Sequence, residues 1–142
     1  MRKITIKNLQ RKIPVYPKRI KTAVLKVFTA EGKKLSLDIT VSFVNDKLIR
    51  ELNRKFLKVN HPTDVLAFDL SRAQGKKHLV ADLVISTDTA EHNGKIYKTS
   101  TQYELELYAI HAALHLLGYD DRTLKGANLM RKKECQFIKQ TP

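Results

Sequence analysis

The chain of 142 residues has a single cysteine, Cys135, so it closes no internal disulfide and cannot build a zinc ribbon or knuckle from thiolates. Any metal must be held by histidine, aspartate or glutamate. Glycine and proline are scarce, at five and four residues, and nothing resembles a Pro/Gly/Ser linker or an internal repeat, so one compact unit over residues 1–142 is expected. No stretch approaches the ~18 uninterrupted apolar residues of a membrane span. The start, Met1 Arg2 Lys3 Ile4 Thr5 Ile6 Lys7, lacks the apolar core of a signal peptide. A cytoplasmic protein with no membrane partner is the expectation.

Acidic residues are also scarce at one end. Residues 1–60 hold 16 Lys and Arg against 4 Asp and Glu, whereas residues 61–142 hold 11 against 10. A field of that sign concentrates and steers polyanions, nucleic acid foremost. Heat-adapted chains also gain lysine, but with glutamate alongside it, and the basic part has only Glu31 and Glu51.

Ile4 and Ile6 alternate with polar neighbours as a short strand does. From Tyr16 and Pro17, Ile20, Val24, Val27 and Phe28 recur at helical spacing with Gly32 just beyond. Leu35 to Phe43 alternates strictly and predicts a strand with one buried face. Asn45 or Asp46 can cap a helix that turns Leu48, Ile49, Leu52 and Phe56 inward and Lys47, Arg50, Arg54 and Lys55 outward. Val65–Leu70 and His78–Ser86 read as an antiparallel pair of strands. A weaker helix from Asp88 should end at Gly94. Thr101 with Glu104 forms a capping box, opening a run to Leu117 that is apolar nearly all round and so predicts a central helix. Leu124–Ile138 closes the chain as a helix. This order predicts an α+β domain with a small mixed sheet.

The chemistry lies in His111 Ala112 Ala113 Leu114 His115 Leu116 Leu117 Gly118 Tyr119 Asp120 Asp121. Two histidines four apart share one helix face and can grip one ion. The spacing alone is weak, because five histidines make ten pairs and such a pair arises by chance in roughly one sequence in seven. Its setting adds weight: a buried imidazole needs a partner, and Gly118 can reverse the chain to bring Asp121 back over both rings. Two nitrogens and a carboxylate leave a coordination position open, as catalytic zinc sites do. Zinc peptidases place a glutamate directly after the first histidine. Here that residue is Ala112, so the general base for peptide hydrolysis is absent.

The same run resembles the His-Gly-x-Leu-His-Leu-x-Gly-Tyr-Asp-His signature of the YbeY family of metal-dependent endoribonucleases. Three further blocks resemble that family in order: His61 Pro62 Thr63 Asp64 Val65 Leu66 Ala67 Phe68 with Leu52 Asn53 before it, Ala81 Asp82 Leu83 Val84 Ile85 Ser86, and Met130 with Glu134. The resemblance implies a zincin-like α+β domain around a metal-binding helix and endonucleolytic cleavage in ribosomal RNA maturation. The partners it implies are ribosomal RNA and small-subunit precursors. It further implies one divalent ion, zinc first with nickel or manganese as alternatives, on His111, His115 and Asp121, the two histidines serving catalysis. Asp64 is expected to orient a metal-bound histidine.

Three positions depart from the pattern. Asp121 stands where the family has a third histidine, and its negative charge makes a coordinated water less acidic and admits harder ions. Leu57 stands at the family's arginine, leaving Arg54, Lys55 or Lys58 to meet phosphate. Ala112 replaces a glycine. Two other readings stay open on sequence alone: a non-catalytic RNA-binding ribosome-assembly factor with a structural metal, and a metal-dependent hydrolase of another substrate.

Overall fold

The computed structural model describes residues 1–32, 34–57, 63–71 and 77–138. Its elements run β1 (Arg2–Asn8), α1 (Pro17–Glu31), β2 (Ser36–Val44), α2 (Asp46–Leu57), β3 (Val65–Asp69), β4 (His78–Ser86), α3 (Thr87–Tyr97), α4 (Thr101–Leu116) and α5 (Leu124–Phe137). The strands form one sheet in the order β1-β2-β4-β3. β1, β2 and β4 are mutually parallel and β3 runs antiparallel to β4, the mixed sheet that the sequence predicts.

Period-two alternation assigns the two sheet faces. Leu37, Ile39, Val41 and Phe43 of β2, with Leu79, Ala81, Leu83 and Ile85 of β4, join Val24, Val27 and Phe28 of α1 and most of α4 in one buried core. Val44, Leu66 and Val84 point the other way and are covered by Ile49 of α2 in a smaller cluster. Thus α2 and α4 lie on opposite faces of the sheet. At the centre, α4 buries Leu105, Ala109, Ile110, Ala112, Ala113 and Leu114, each large side chain contributing about 1.5–3 kcal/mol relative to exposure.

Side-chain caps set where α2 to α5 begin. Asn45 Oδ1 accepts from Leu48 N at 2.9 Å, Ser86 Oγ from Thr89 N at 3.1 Å, and Thr123 Oγ1 from Gly126 N at 3.0 Å. The cap of α4 is Ser100, whose Oγ accepts from Tyr103 N at 3.0 Å, not the expected Thr101. Glu104 is therefore not half of a capping box. It is buried, and its carboxylate accepts from the hydroxyls of Thr99 at 2.7 Å and Tyr108 at 3.3 Å.

Two other expectations are corrected. α3 runs past Gly94 to Tyr97 and stops at Lys98, which takes the left-handed φ of 57°. Gly94 is needed for closeness instead: a Cβ there would stand 3.1 Å from the carbonyl oxygen of Thr99, where the chain turns into α4. Phe56 is 56% exposed and meets Phe68 edge-on with ring centroids 5.7 Å apart. Asn53 takes the buried place on α2. Because the cap of α4 is Ser100, Ser100→Ala should cost about 1 kcal/mol of stability while Thr101→Ala leaves it nearly unchanged. Urea denaturation of both variants checks the assignment.

Candidate metal centre

His111 and His115 lie one turn apart near the end of α4. Their rings meet edge-on, with centroids 4.6 Å apart. The Nε2 atoms stand 3.0 Å apart. After Leu116 the helix is closed by Leu117 N donating to Ala113 O at 3.2 Å and Tyr119 N to Leu114 O at 3.1 Å. Gly118 sits between them at a φ of +101°, a backbone state that favours glycine.

That reversal returns Asp121 to the histidines, as expected. One carboxylate oxygen is 3.7 Å from His111 Nε2 and the other 3.8 Å from His115 Nε2. All three residues offer one ligand atom apiece within 4.8 Å of one another. In a tetrahedral site with bonds of about 2.1 Å, ligand atoms stand roughly 3.4 Å apart, so the spacing fits. Two ring nitrogens facing each other at 3.0 Å also need a cation or a shared proton between them. The donor set, two imidazoles and a carboxylate half open to solvent, suits a divalent ion of the zinc type.

Glu134 of α5 completes the arrangement. Its Oε2 is hydrogen-bonded to His111 Nδ1, which fixes a proton on that nitrogen and turns the Nε2 lone pair toward His115 and Asp121. Burial works against protonation of His111. The hydrogen bond to Glu134, with the charges of Glu134, Asp64 and Asp121, outweighs it and raises the pKa above the ordinary imidazole value. The sequence suggested Asp64 for the orienting task. Among the described residues, Asp64 Oδ1 instead accepts from Val65 N at 2.8 Å and Thr63 Oγ1 at 3.4 Å, and it reaches His111 through its charge. A signal for Glu134 was present: it shares with buried Met130, four residues earlier, the face of α5 that packs on α4.

Further contacts hold the turn that carries Asp121. The Tyr119 hydroxyl donates to Glu31 Oε1 at 2.5 Å, and Lys133 Nζ donates to Glu31 Oε2 at 3.1 Å, which together hold the Glu31 carboxyl below its ordinary pKa. Gly126, in the first turn of α5, lies so near this turn that a Cβ would stand 2.1 Å from Asp120 O. Arg122 pairs with Asp120 instead of reaching the centre. Arg54 and Lys55 are exposed on α2, across the sheet from α4, and are not brought into the histidine cluster. Lys58 lies outside the described residues.

The linkage signs here oppose each other. In the metal-free chain the His111–Glu134 pair gives its full stability below about pH 6.5 and loses it as pH rises through the raised pKa of His111. Metal needs the neutral imidazole and binds better over that same window. The rise in Tm on adding zinc should grow as pH climbs through it, and Glu134→Gln should move the window downward. A zinc effect on Tm that is flat with pH would contradict the assignment. Gly126→Ala should displace the Asp121 turn and weaken zinc binding at least tenfold, read by competition with a chromophoric chelator, with α4 helicity preserved.

Comparison with known proteins gives matches over nearly the whole chain. A family model described as Endoribonuclease YbeY matches residues 5–142. A protein of Pelotomaculum thermopropionicum named Endoribonuclease YbeY is 35% identical, covering 95% of this chain and 94% of its own length. One of the same name from Desulforamulus reducens is 34% identical over 92% of each. Among solved structures, the solution structure of a Thermotoga maritima protein superposes with a TM-score of 0.61 at 26% identity, covering 95% of this chain and 86% of that one.

Proposed function

The chain belongs to the YbeY endoribonuclease family, a hydrolytic nuclease by that membership, and from this premise we propose that it cleaves single-stranded stretches of ribosomal RNA precursors of the small subunit. The observation that carries the reading is the convergence of His111 Nε2, His115 Nε2 and the Asp121 carboxylate, with Glu134 behind His111. His111, His115 and Asp121 would hold one divalent ion, zinc first and nickel or manganese as alternatives. When bound, such an ion supplies Lewis acidity toward a phosphate oxygen and a water molecule.

The chain's own groups do the rest. Glu134 keeps the His111 tautomer that leaves Nε2 free. Tyr119 and Glu31 hold Asp121 in register, so the site needs little reorganisation when RNA arrives. The basic first part draws the polyanion in, and Arg54, Lys55 and Lys58 are proposed to meet its backbone, supported by their place on α2 and in the segment leading to Asp64. Asp121 in the family's histidine position adds a negative charge, which would make a coordinated water less acidic and the nuclease slower. We read residues 1–142 as one domain. No helix among the described residues is long and apolar enough to cross a membrane, and a cytoplasmic location suits the proposed substrate.

The family membership favours the nuclease over a non-catalytic assembly factor or another hydrolase. The test is cleavage of a single-stranded precursor fragment by wild type and His115→Ala. The wild type should cut, chelator should stop it, zinc should restore it, and the variant should lose at least a hundredfold in rate while RNA affinity changes little. Equal cutting by both would point to a contaminating nuclease. RNA binding without any cutting would favour the assembly role.

A further inference from the structure

A second recess adjoins the metal centre from behind. It has a volume of about 520 Å³ and is lined by Asp64, His111 and Glu134 on the side of the centre and by Tyr97, Tyr103 and Glu104 beyond, with Asn93 and Arg131 also on its walls. Its size falls within the roughly 300–1,000 Å³ of small-molecule sites. Tyr97 stands 67% exposed although large and aromatic, and Arg131 is exposed on α5. Nothing in the metal chemistry uses these groups.

The charge inside selects the kind of ligand. Asp64, Glu104 and Glu134 set three carboxylates against the guanidinium of Arg131 and a His111 already hydrogen-bonded to Glu134, so the walls stay net acidic and a phosphate group is disfavoured in the interior. A flat, uncharged ring with N–H donors is not: tyrosine faces stack bases, and carboxylates accept from ring and amino N–H groups. Glu104 Oε2 and Oε1 each receive one hydroxyl, from Thr99 and Tyr108, and each oxygen retains a second lone pair. Guanine presents a ring N–H and an amino N–H side by side, which matches a carboxylate edge. Uracil offers a single ring N–H.

Resting on the nuclease reading, we propose that this recess is a nucleobase subsite that takes the base next to the scissile phosphate, guanine in preference to uracil. Tyr97 and Tyr103 stack on the base, Glu104 accepts from its donor edge, and Arg131 stays outside to meet that nucleotide's phosphate. His111, which both lines the recess and faces His115, sets the distance between the bound base and the reacting phosphate.

The test uses 2′-O-methyl phosphorothioate uridine pentamers with or without one central guanosine, checked for intact length after each run and titrated by fluorescence anisotropy into the full chain loaded with zinc. Wild type should prefer the guanosine pentamer about tenfold. Tyr97→Ala should weaken both pentamers by about tenfold, and Glu104→Gln should erase the preference while keeping uridine affinity. If Glu104→Gln does not fold, Tyr97→Ala, at an exposed position, still decides. A wild-type preference under about twofold, or unchanged affinities in Tyr97→Ala, would overturn the subsite. Cutting of RNA by the same preparation would then leave the nuclease reading standing. Conversely, a clear guanosine preference in protein that never cuts would support the subsite and remove the nuclease reading.

Discussion

A carboxylate on the far nitrogen of an imidazole decides what the near nitrogen can do. Glu134 against His111 Nδ1 joins α5 to α4, commits one proton and leaves the Nε2 lone pair facing His115 and Asp121. Without that contact His111 would be a half-buried ring free to choose either tautomer, and the two Nε2 atoms at 3.0 Å would have no reason to face each other. The same contact raises the proton affinity of His111, so a proton and any ion bound there would compete for one atom. The centre is therefore oriented by the packing of two helices, and its chemistry inherits their precision.

The fold supplies that precision by making α4 the one helix that touches almost everything. It lies over β3 and β4 on the sheet face that carries Leu83 and Ile85 and packs beside α1, α3 and α5. A helix so buried cannot rotate without exposing Leu114 or Ile110, which fixes the azimuth of both histidines. The far end is fixed differently: Gly118 turns the chain, Tyr119 ties the turn to Glu31, and Gly126 lets α5 approach to backbone contact. Two candidate ligands on a rigid helix and a third on a pinned turn leave one side of the cluster open.

Most of this architecture was legible in the sequence because it follows from periodicity. The alternation of Leu35–Phe43, the stripe Ile20, Val24, Val27 and Phe28, and the all-round apolar run before Leu117 each appear as expected. So does the return of Asp121 after Gly118, since a glycine stop has few outcomes. What escaped depends on contacts between distant residues. Gly94 looked like a stop signal but serves close packing against Thr99, and the true stop is Lys98. Thr101 with Glu104 has the spacing of a capping box, yet the adjacent Ser100 wins the cap and Glu104 turns inward to two hydroxyls. Phe56 fits the inward stripe of α2 but lies beyond the edge of the sheet cluster that could cover it. Glu134, 23 residues from His111, entered only as part of a family block although its spacing from Met130 puts it on the inward face of α5, and the orienting task was expected of Asp64.

The central claim is that His111, His115 and Asp121 bind one ion together in the arrangement seen here. Crystals grown with zinc, measured by anomalous diffraction on both sides of the zinc absorption edge, test it most directly. The account predicts one strong peak per chain within bonding distance, about 2.0–2.2 Å, of both Nε2 atoms and an Asp121 oxygen, with Glu134 still on His111 Nδ1. A peak held by the histidines alone with Asp121 turned away, or no peak at this position, would contradict it.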